Sequence, residues 1–178
     1  MGGIGGWDVS EERIEDPELG VLVNKSGDWD GRATLPLPVA IRECDMTIEW
    51  EGDTPSEAQR EAARYALRMT REAQGRLAET LHADYLMTLD AVGPDDLPEM
   101  DTPADVWAHV QPIQLNIPNH EDLRRRYFVL QFEVAWETEG GAEVLFRDGL
   151  PVELDIIGST GQPSQYDDDD GDADADGE

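Results

Sequence analysis

The acidic end of the chain contains the residues whose spacing most resembles a metal site. Asp172, Asp174 and Asp176 precede Gly177 in the pattern D-x-D-x-D-G, which is the first half of a calcium-binding loop. The sequence stops at Glu178, before the position of the bidentate glutamate that completes such a loop. We therefore expect a solvated acidic tail here, and neither a metal nor a cofactor.

Histidine and cysteine offer no stronger chemistry. The histidines are His82, His109 and His120, and His82 lies two positions from Asp84 in a predicted helix, where the two side chains point to different sides. We expect surface histidines that bind no metal. Cys44 is the single cysteine of the sequence, which excludes an intrachain disulfide and favours a small buried side chain.

Arg124, Arg125 and Arg126 form the one basic cluster of the sequence. Two interpretations remain open. In the first, these side chains neutralise a very acidic surface locally, where exposed ion pairs contribute little stability. In the second, their guanidinium groups contact a carboxylate-rich or phosphate-bearing partner.

Two further residues are candidates for contact with a partner. Trp29 lies between two aspartates, which makes it hard to bury and predicts an exposed aromatic anchor. Glu139 belongs to an acidic group with Glu137 and Glu143. Since no nucleophile or metal-ligand set accompanies them in the sequence, we expect these carboxylates to face solvent rather than to act in catalysis.

The elements that would position these residues include one long helix. Thr54, Pro55 and Glu57 have the form of a capping box, and apolar residues then recur every three or four positions to about Leu89. A short second helix is predicted over residues 102–109. Gly75, inside the long helix, suggests a bend or a close approach to the sheet.

Strand patterns lie on both sides of the helices. Residues 19–24 and the stretch around Trp29 are predicted strands with a turn between them, and residues 37–50 predict one or two strands with a bulge or turn at 43–45. Alternation over 113–117 and 128–136 predicts two more, and Asp148-Gly149 predicts a hairpin.

Together these elements predict an α+β fold in which an antiparallel β-sheet packs against one long helix and one short helix. Trp50 and Trp136, in phase with apolar neighbours, are expected in its core. We expect a single domain over residues 14–158, preceded by a flexible N-terminus at 1–13 and followed by a disordered acidic tail at 159–178.

The net charge of −28, with 13 Lys and Arg against 41 Asp and Glu, excludes several partners. So negative a surface repels phosphates and anionic lipids, which argues against nucleic acid and membranes. Lys25 is the single lysine. Two origins of this composition remain open: adaptation to high salt, which screens charges beyond about 3 Å at molar concentration, and a GC-rich coding sequence. Without a signal peptide or a long apolar segment, we expect a cytoplasmic protein.

Several short motifs resemble those of an uncharacterised bacterial and archaeal family of small α+β domains of unknown function. The segment from Trp136 through Glu139 and a glycine turn, followed by Arg147-Asp-Gly149, is similar to the closing signature of that family, and Trp29-Asp-Gly31 and the helix start are similar to its first half. The resemblance spans about residues 16–158. It implies the α+β fold, and some members resemble immunity proteins. A histidine expected at Gly141 is missing.

Three functions remain open. The first is a non-enzymatic protein-binding module, immunity-like or regulatory, that is adapted to high salt and has another protein as its partner. The second is a small-molecule-binding protein or a metal-dependent enzyme with an acidic cleft between helix and sheet. The third is a protein that binds a nucleic-acid-binding partner by mimicking nucleic acid through its charge. The absence of a catalytic motif from the sequence favours the first. The oligomeric state does not follow from the sequence.

Overall fold

The computed structural model describes residues 11–24, 26–137 and 141–155, with the isolated positions Pro163 and Asp167. The described chain has two α-helices and a 3₁₀ helix: α1 (Glu57–Leu67), α2 (Arg71–Val92) and the 3₁₀ helix (Pro103–Ala108). Its strands are β1 (Glu12–Asp16), β2 (Gly20–Asn24), β3 (Trp29–Thr34), β4 (Glu43–Ile48), β5 (Val110–Ile117), β6 (Tyr127–Val134), β7 (Ala142–Arg147) and β8 (Leu150–Asp155).

The strands form one sheet whose order follows the sequence from β1 to β8. Neighbouring strands are antiparallel except for β4 and β5, which are parallel. A parallel pair needs a long crossover connection, and all the described helices lie in that one connection. Helix α1 packs on β5 and β6, and α2 packs on β8. The α+β class with a mostly antiparallel sheet is therefore the observed one.

The core lies between this sheet and the helices. Along β6, alternate residues are buried, as period-2 alternation requires for a face that packs on helices. Phe128 stacks on Phe146 of β7, with ring centroids 4.5 Å apart. From the helices come small and aliphatic side chains, which let the helices approach the sheet closely: Ala62, Ala63, Ala66, Ala73, Leu77 and Leu81.

The prediction of one long helix over residues 54–89 is not confirmed, because the chain forms two helices with a break after Leu67. The apolar spacing of Ala66, Met69 and Ala73 continues across the break, and for this reason the periodicity gave no sign of it. At the break, the Thr70 side chain accepts the N–H of Ala73 and caps α2.

Helix α1 also begins later than expected. Its N-cap is Ser56, whose hydroxyl accepts the amide of Gln59 while the Gln59 side chain accepts the amide of Ser56. This is a capping box displaced from the predicted one at Thr54. The Gln59 side chain also donates to the carbonyl of Pro118 at 3.2 Å, which ties α1 to the loop before β6.

Two of the tryptophans, Trp29 and Trp50, lie in the opposite environment from the one predicted. Trp29 was predicted to be an exposed anchor, and it is 1% exposed, because it opens β3 opposite Ile48 on the face that packs on the helices. Trp50 was predicted to be in the core, and it is 56% exposed, because β4 ends at Ile48. Trp136 is buried as predicted.

Two further differences from the predictions concern the strands. β4 is continuous from Glu43, where it pairs with Thr34, so the expected bulge or turn at 43–45 does not occur. β1 was missed, because its sequence Glu-Arg-Ile-Glu-Asp has almost no hydrophobic alternation. The strand includes Glu12 and Arg13 of the segment 1–13 that was predicted to be flexible.

Several predicted features fall on residues outside the described ones, among them Lys25, Glu139 and the acidic motif at 172–177. Within the described ranges, neither α-helix combines the length and the apolar character that crossing a bilayer requires. Around Gly75 of α2 a Cβ atom would meet nothing within 4 Å, so the expected close approach to the sheet does not occur there.

A candidate carboxylate-binding loop

The connection between β5 and β6, residues 118–126, carries the arginine cluster, and we call it the arginine loop. Asn119 turns the chain, because its Oδ1 accepts the N–H of Glu121 at 2.9 Å, and Leu123 N–H donates to the carbonyl of His120 at 3.1 Å. Asparagine favours such turns by bonding to the backbone two residues on. The loop is thus fixed by its own short-range hydrogen bonds.

His120 ties the arginine loop to the sheet. Its Nδ1 lies 2.8 Å from the carbonyl oxygen of Pro118, and its Nε2 lies 2.9 Å from the amide nitrogen of Tyr127. Because a carbonyl accepts and an amide donates, Nδ1 carries the proton and Nε2 accepts, which makes the ring neutral. His120 is 4% exposed, and burial lowers its pKa. The expectation of a surface histidine is wrong for this residue.

Three consecutive amides of the arginine loop donate to carboxylates. Arg124 N–H donates to Oδ2 of Asp167 at 2.8 Å, and Arg125 N–H donates to Oδ1 of the same residue at 3.0 Å. Arg126 N–H donates to Oδ1 of Asp148 at 3.0 Å. Successive backbone N–H groups that converge on one anion are a recurrent way to bind carboxylate or phosphate. Two of them here hold both oxygens of one carboxylate.

The Asp167 carboxylate is held as an anion. Asp167 is 8% exposed, the Tyr127 hydroxyl lies 3.4 Å from its Oδ1, and Arg124 Nε lies 3.8 Å from its Oδ2. Burial by itself raises the pKa of Asp167, but the hydrogen bonds from the Arg124 and Arg125 amides outweigh it, and the pKa lies below its usual value. The loop thus stabilises a charged carboxylate away from bulk water.

The arginine side chains connect the loop to other elements. Arg125 Nη1 lies 3.1 Å from Asp148 Oδ2 in the β7–β8 turn, and Arg126 Nε lies 2.7 Å from Glu61 Oε2 on α1. The Arg124 side chain is the most exposed of the three, at 73%. All three therefore lie beside carboxylates, which supports local neutralisation of charge, and they also add positive charge around the two amides that hold Asp167.

The predicted contact residues are only partly brought together. Arg124, Arg125 and Arg126 share one loop, whereas Trp29 lies in the core and Glu139 is outside the described residues. Sequence reasoning missed His120 and Asp167 as parts of the site. No sequence signal distinguishes Asp167 from the three aspartates that follow it, and its segment was predicted to be disordered.

A second polar cluster is enclosed between α2 and the end of β6. Trp136 Nε1 donates to Asp84 Oδ2 at 2.7 Å, and Asp84 is 2% exposed. Burial raises the pKa of Asp84, and its Oδ1 has no hydrogen-bond partner among the described residues. Next to it, the rings of His82 and Tyr85 stack at 5.9 Å. These residues line neither of the two described clefts, and the buried Trp136–Asp84 pair has the arrangement of a structural hydrogen bond.

The larger described cleft lies beside the 3₁₀ helix. It encloses about 690 Å³ and is lined by residues that include Ile41, Trp107 and His109. Two acidic residues, Glu99 and Asp105, line it, and Asp105 accepts the N–H and the hydroxyl of Thr102, so that this carboxylate caps the 3₁₀ helix. Among the described residues, no three carboxylate, histidine or cysteine side chains are grouped to hold a metal ion.

The missing histidine at position 141 has a steric explanation. Gly141 has a φ of +71°, and a Cβ atom there would lie 2.2 Å from the carbonyl oxygen of Phe132. That distance is far below van der Waals contact, and φ > 0 is costly for residues with a side chain. In this chain, position 141 requires glycine.

The fold and the arginine loop define a small α+β domain with a built site for a carboxylate. Residues 18–157 match the family described as Domain of unknown function (DUF6985), and because this match covers most of the chain, the protein belongs to that family. The uncharacterised family predicted from the motifs is thereby confirmed. Comparisons with curated proteins and with solved structures gave no match. The arginine loop lies inside the matched range, and Asp167 lies beyond it.

Proposed function

We propose that this protein is a non-enzymatic binding module whose arginine loop recognises a carboxylate on another protein. The observation that supports this most directly is the capture of Asp167 by the Arg124 and Arg125 amides, at 2.8 and 3.0 Å. An immunity-like or regulatory role, as the motif resemblance implied, belongs to this proposal. So does adaptation to high salt, for which the composition is the support.

A rigid loop favours such recognition. His120 fixes the loop to β6, Gln59 fixes its first residue to α1, and Arg126 fixes its last residue to Glu61. Because the donors are backbone amides already held in place, binding a carboxylate requires little further loss of conformational entropy. The shape of the site therefore exists before a partner arrives.

The net charge of −28 opposes an acidic partner at low salt. In molar KCl the screening length is about 3 Å, so long-range repulsion disappears while hydrogen bonds at contact distance persist. Two hydrogen bonds to a charged group contribute about 3–6 kcal/mol together, and a dissociation constant of 1 mM corresponds to about 4.1 kcal/mol. At about 1.4 kcal/mol for each factor of ten, we therefore expect dissociation constants between about 0.04 and 6 mM in high salt.

The test removes the resident carboxylate and supplies one in trans. The receptor is the full chain with alanine at each of the four aspartates 167–170, which we call the open variant. All four are replaced so that no neighbouring aspartate takes the place of Asp167. The probe is a fluorescent peptide with the sequence of residues 163–171, titrated in 1 M KCl. We expect saturable binding, and at least about tenfold weaker binding when the peptide carries asparagine at each of its four aspartates, since charge-assisted hydrogen bonds are roughly twice as strong as neutral ones.

Two charge reversals provide matched controls in the open variant. Arg124→Glu places a negative charge beside the carboxylate and is expected to weaken peptide binding about tenfold, which corresponds to about 1.4 kcal/mol. Arg76→Glu makes the same change on α2, where Arg76 pairs with Glu72 at 3.0 Å, and is expected to leave binding unchanged. If the open variant binds the aspartate and asparagine peptides equally, or binds neither, the proposal is wrong.

A further inference from the structure

We infer that Asp167 competes with the partner for the arginine loop. The Asp167 carboxylate, in the same chain, occupies the site to which a carboxylate of the partner binds. The inference rests on the proposed function and adds to it the regulation of the same site. It makes Asp167 an internal inhibitor, and it identifies the partner as a protein segment with an aspartate or glutamate in the corresponding place.

The receptor and its occupant belong to separate parts of the chain. The matched family domain covers residues 18–157, which includes every loop residue that donates to the carboxylate. Asp167 lies beyond that range. A domain that contains both described amide donors, with their carboxylate acceptor supplied from outside the domain, has the organisation of a receptor and a ligand joined in one chain.

Occupation in cis and occupation in trans exclude each other. The amides of Arg124 and Arg125 each donate to a different oxygen of Asp167, so neither donor remains for a second carboxylate. A partner must therefore displace Asp167 before it binds.

The expected strength of the competition follows from the tether. Asp155 ends β8, and Asp167 is twelve positions further along the chain. A group tethered over so short a stretch competes at an effective concentration on the order of 1 mM. Against a site whose intrinsic dissociation constant for one aspartate is about 0.1 mM, such a competitor weakens binding in trans roughly tenfold.

The test compares three full-length chains with the same fluorescent peptide in 1 M KCl: the natural chain, the open variant, and a control variant with alanine at Asp172, Asp174 and Asp176. The control loses three carboxylates of the same acidic segment and keeps Asp167. We expect the open variant to bind the peptide about tenfold more tightly than the natural chain does, and the control variant to bind like the natural chain.

Each other outcome has a distinct meaning. Equal and measurable binding by the natural chain and the open variant overturns the competition and leaves the proposed function standing. An equal gain in the control variant also overturns it, because the gain then reflects net charge alone. Failure of a folded open variant to bind removes both proposals. The chain with asparagine at each of residues 167–170, which keeps the size of the side chains, is the second variant, and an affinity equal to that of the natural chain likewise contradicts the inference.

Discussion

His120 and Asp167 fix the arginine loop through groups that titrate in different pH ranges. His120 accepts an amide N–H through a neutral ring, and Asp167 accepts two amides through a charged carboxylate. Because the folded chain holds the pKa of Asp167 below the usual aspartate value of 3.8, the stability that this carboxylate contributes is complete above pH 3.8. It is lost as the pH falls through the lower folded-state pKa. The histidine is therefore the group that responds to mild acid.

The first prediction concerns His120. Burial lowers its folded-state pKa below 6.5, so the folded chain binds fewer protons than the unfolded chain, and its contribution to stability is lost as the pH falls below 6.5 toward the folded-state pKa. His120→Gln offers an acceptor for the Tyr127 amide that does not titrate. In urea unfolding at pH 7.5 and 5.5, the natural chain is expected to lose more free energy of unfolding than the variant.

Comparison of the two chains cancels the titration of all other groups. An identical difference between the two pH values in both chains would show that His120 does not titrate as the buried geometry requires. His120→Ala serves as the reference for loss of the hydrogen bond itself, since an unpaired buried amide costs about 1–3 kcal/mol at any pH.

At the scale of elements, the loops and turns depend on backbone positions that tolerate few residues. Asp148 and Gly149 join β7 to β8 with φ values of 50° and 86°, as an Asp-Gly hairpin requires. Gly141, just before β7, has a φ of +71°, and a Cβ atom added there would lie 2.2 Å from the carbonyl oxygen of Phe132. Such positions set the register of the strands whose ends carry the site.

The second prediction compares two glycine substitutions. Gly141→Ala is expected to lower the free energy of unfolding by more than about 2 kcal/mol, because the backbone conformation and the clash with Phe132 both oppose a side chain. Gly75→Ala lies in α2 with open space around it and is expected to raise stability by about 0.5–1 kcal/mol. Chemical denaturation measures both, and a stable Gly141→Ala would contradict the described turn.

The parts of the fold that follow from local sequence were predictable. Alternation identified β6, and the Asp148-Gly149 pair identified the hairpin, because both signals lie within a few residues. The helix break at Thr70 was hidden, since an apolar spacing of three or four continues across it. The partner of the arginine loop was hidden for a different reason: Asp167 is one of four identical aspartates, and only the tertiary structure selects it.

At the scale of the whole molecule, charge and site act against each other. A net charge of −28 repels the kind of ligand that the arginine loop is built to hold. A tethered carboxylate overcomes that repulsion through proximity, whereas a partner in trans needs high salt or a strongly complementary surface. The acidic composition and the occupied loop are consistent with one another if the protein works at high ionic strength.

The third prediction concerns this salt dependence. If the composition reflects adaptation to high salt, the melting temperature is expected to rise by about 10 °C or more between 0.1 M and 2 M KCl, because screening removes self-repulsion. The control variant at residues 172, 174 and 176 carries three fewer negative charges and is expected to show a smaller rise. A melting temperature that does not rise with KCl would leave GC-rich coding as the explanation.

The amide resonances of Arg124 and Arg125 test the carboxylate-binding loop most directly. In the open variant, these two resonances are expected to move away from their natural positions, because a hydrogen bond to a charged carboxylate is lost. Adding the aspartate peptide in 1 M KCl is expected to move them back, and the asparagine peptide is expected to do so much less. Resonances that do not change in the open variant, or that ignore the aspartate peptide, would contradict the account.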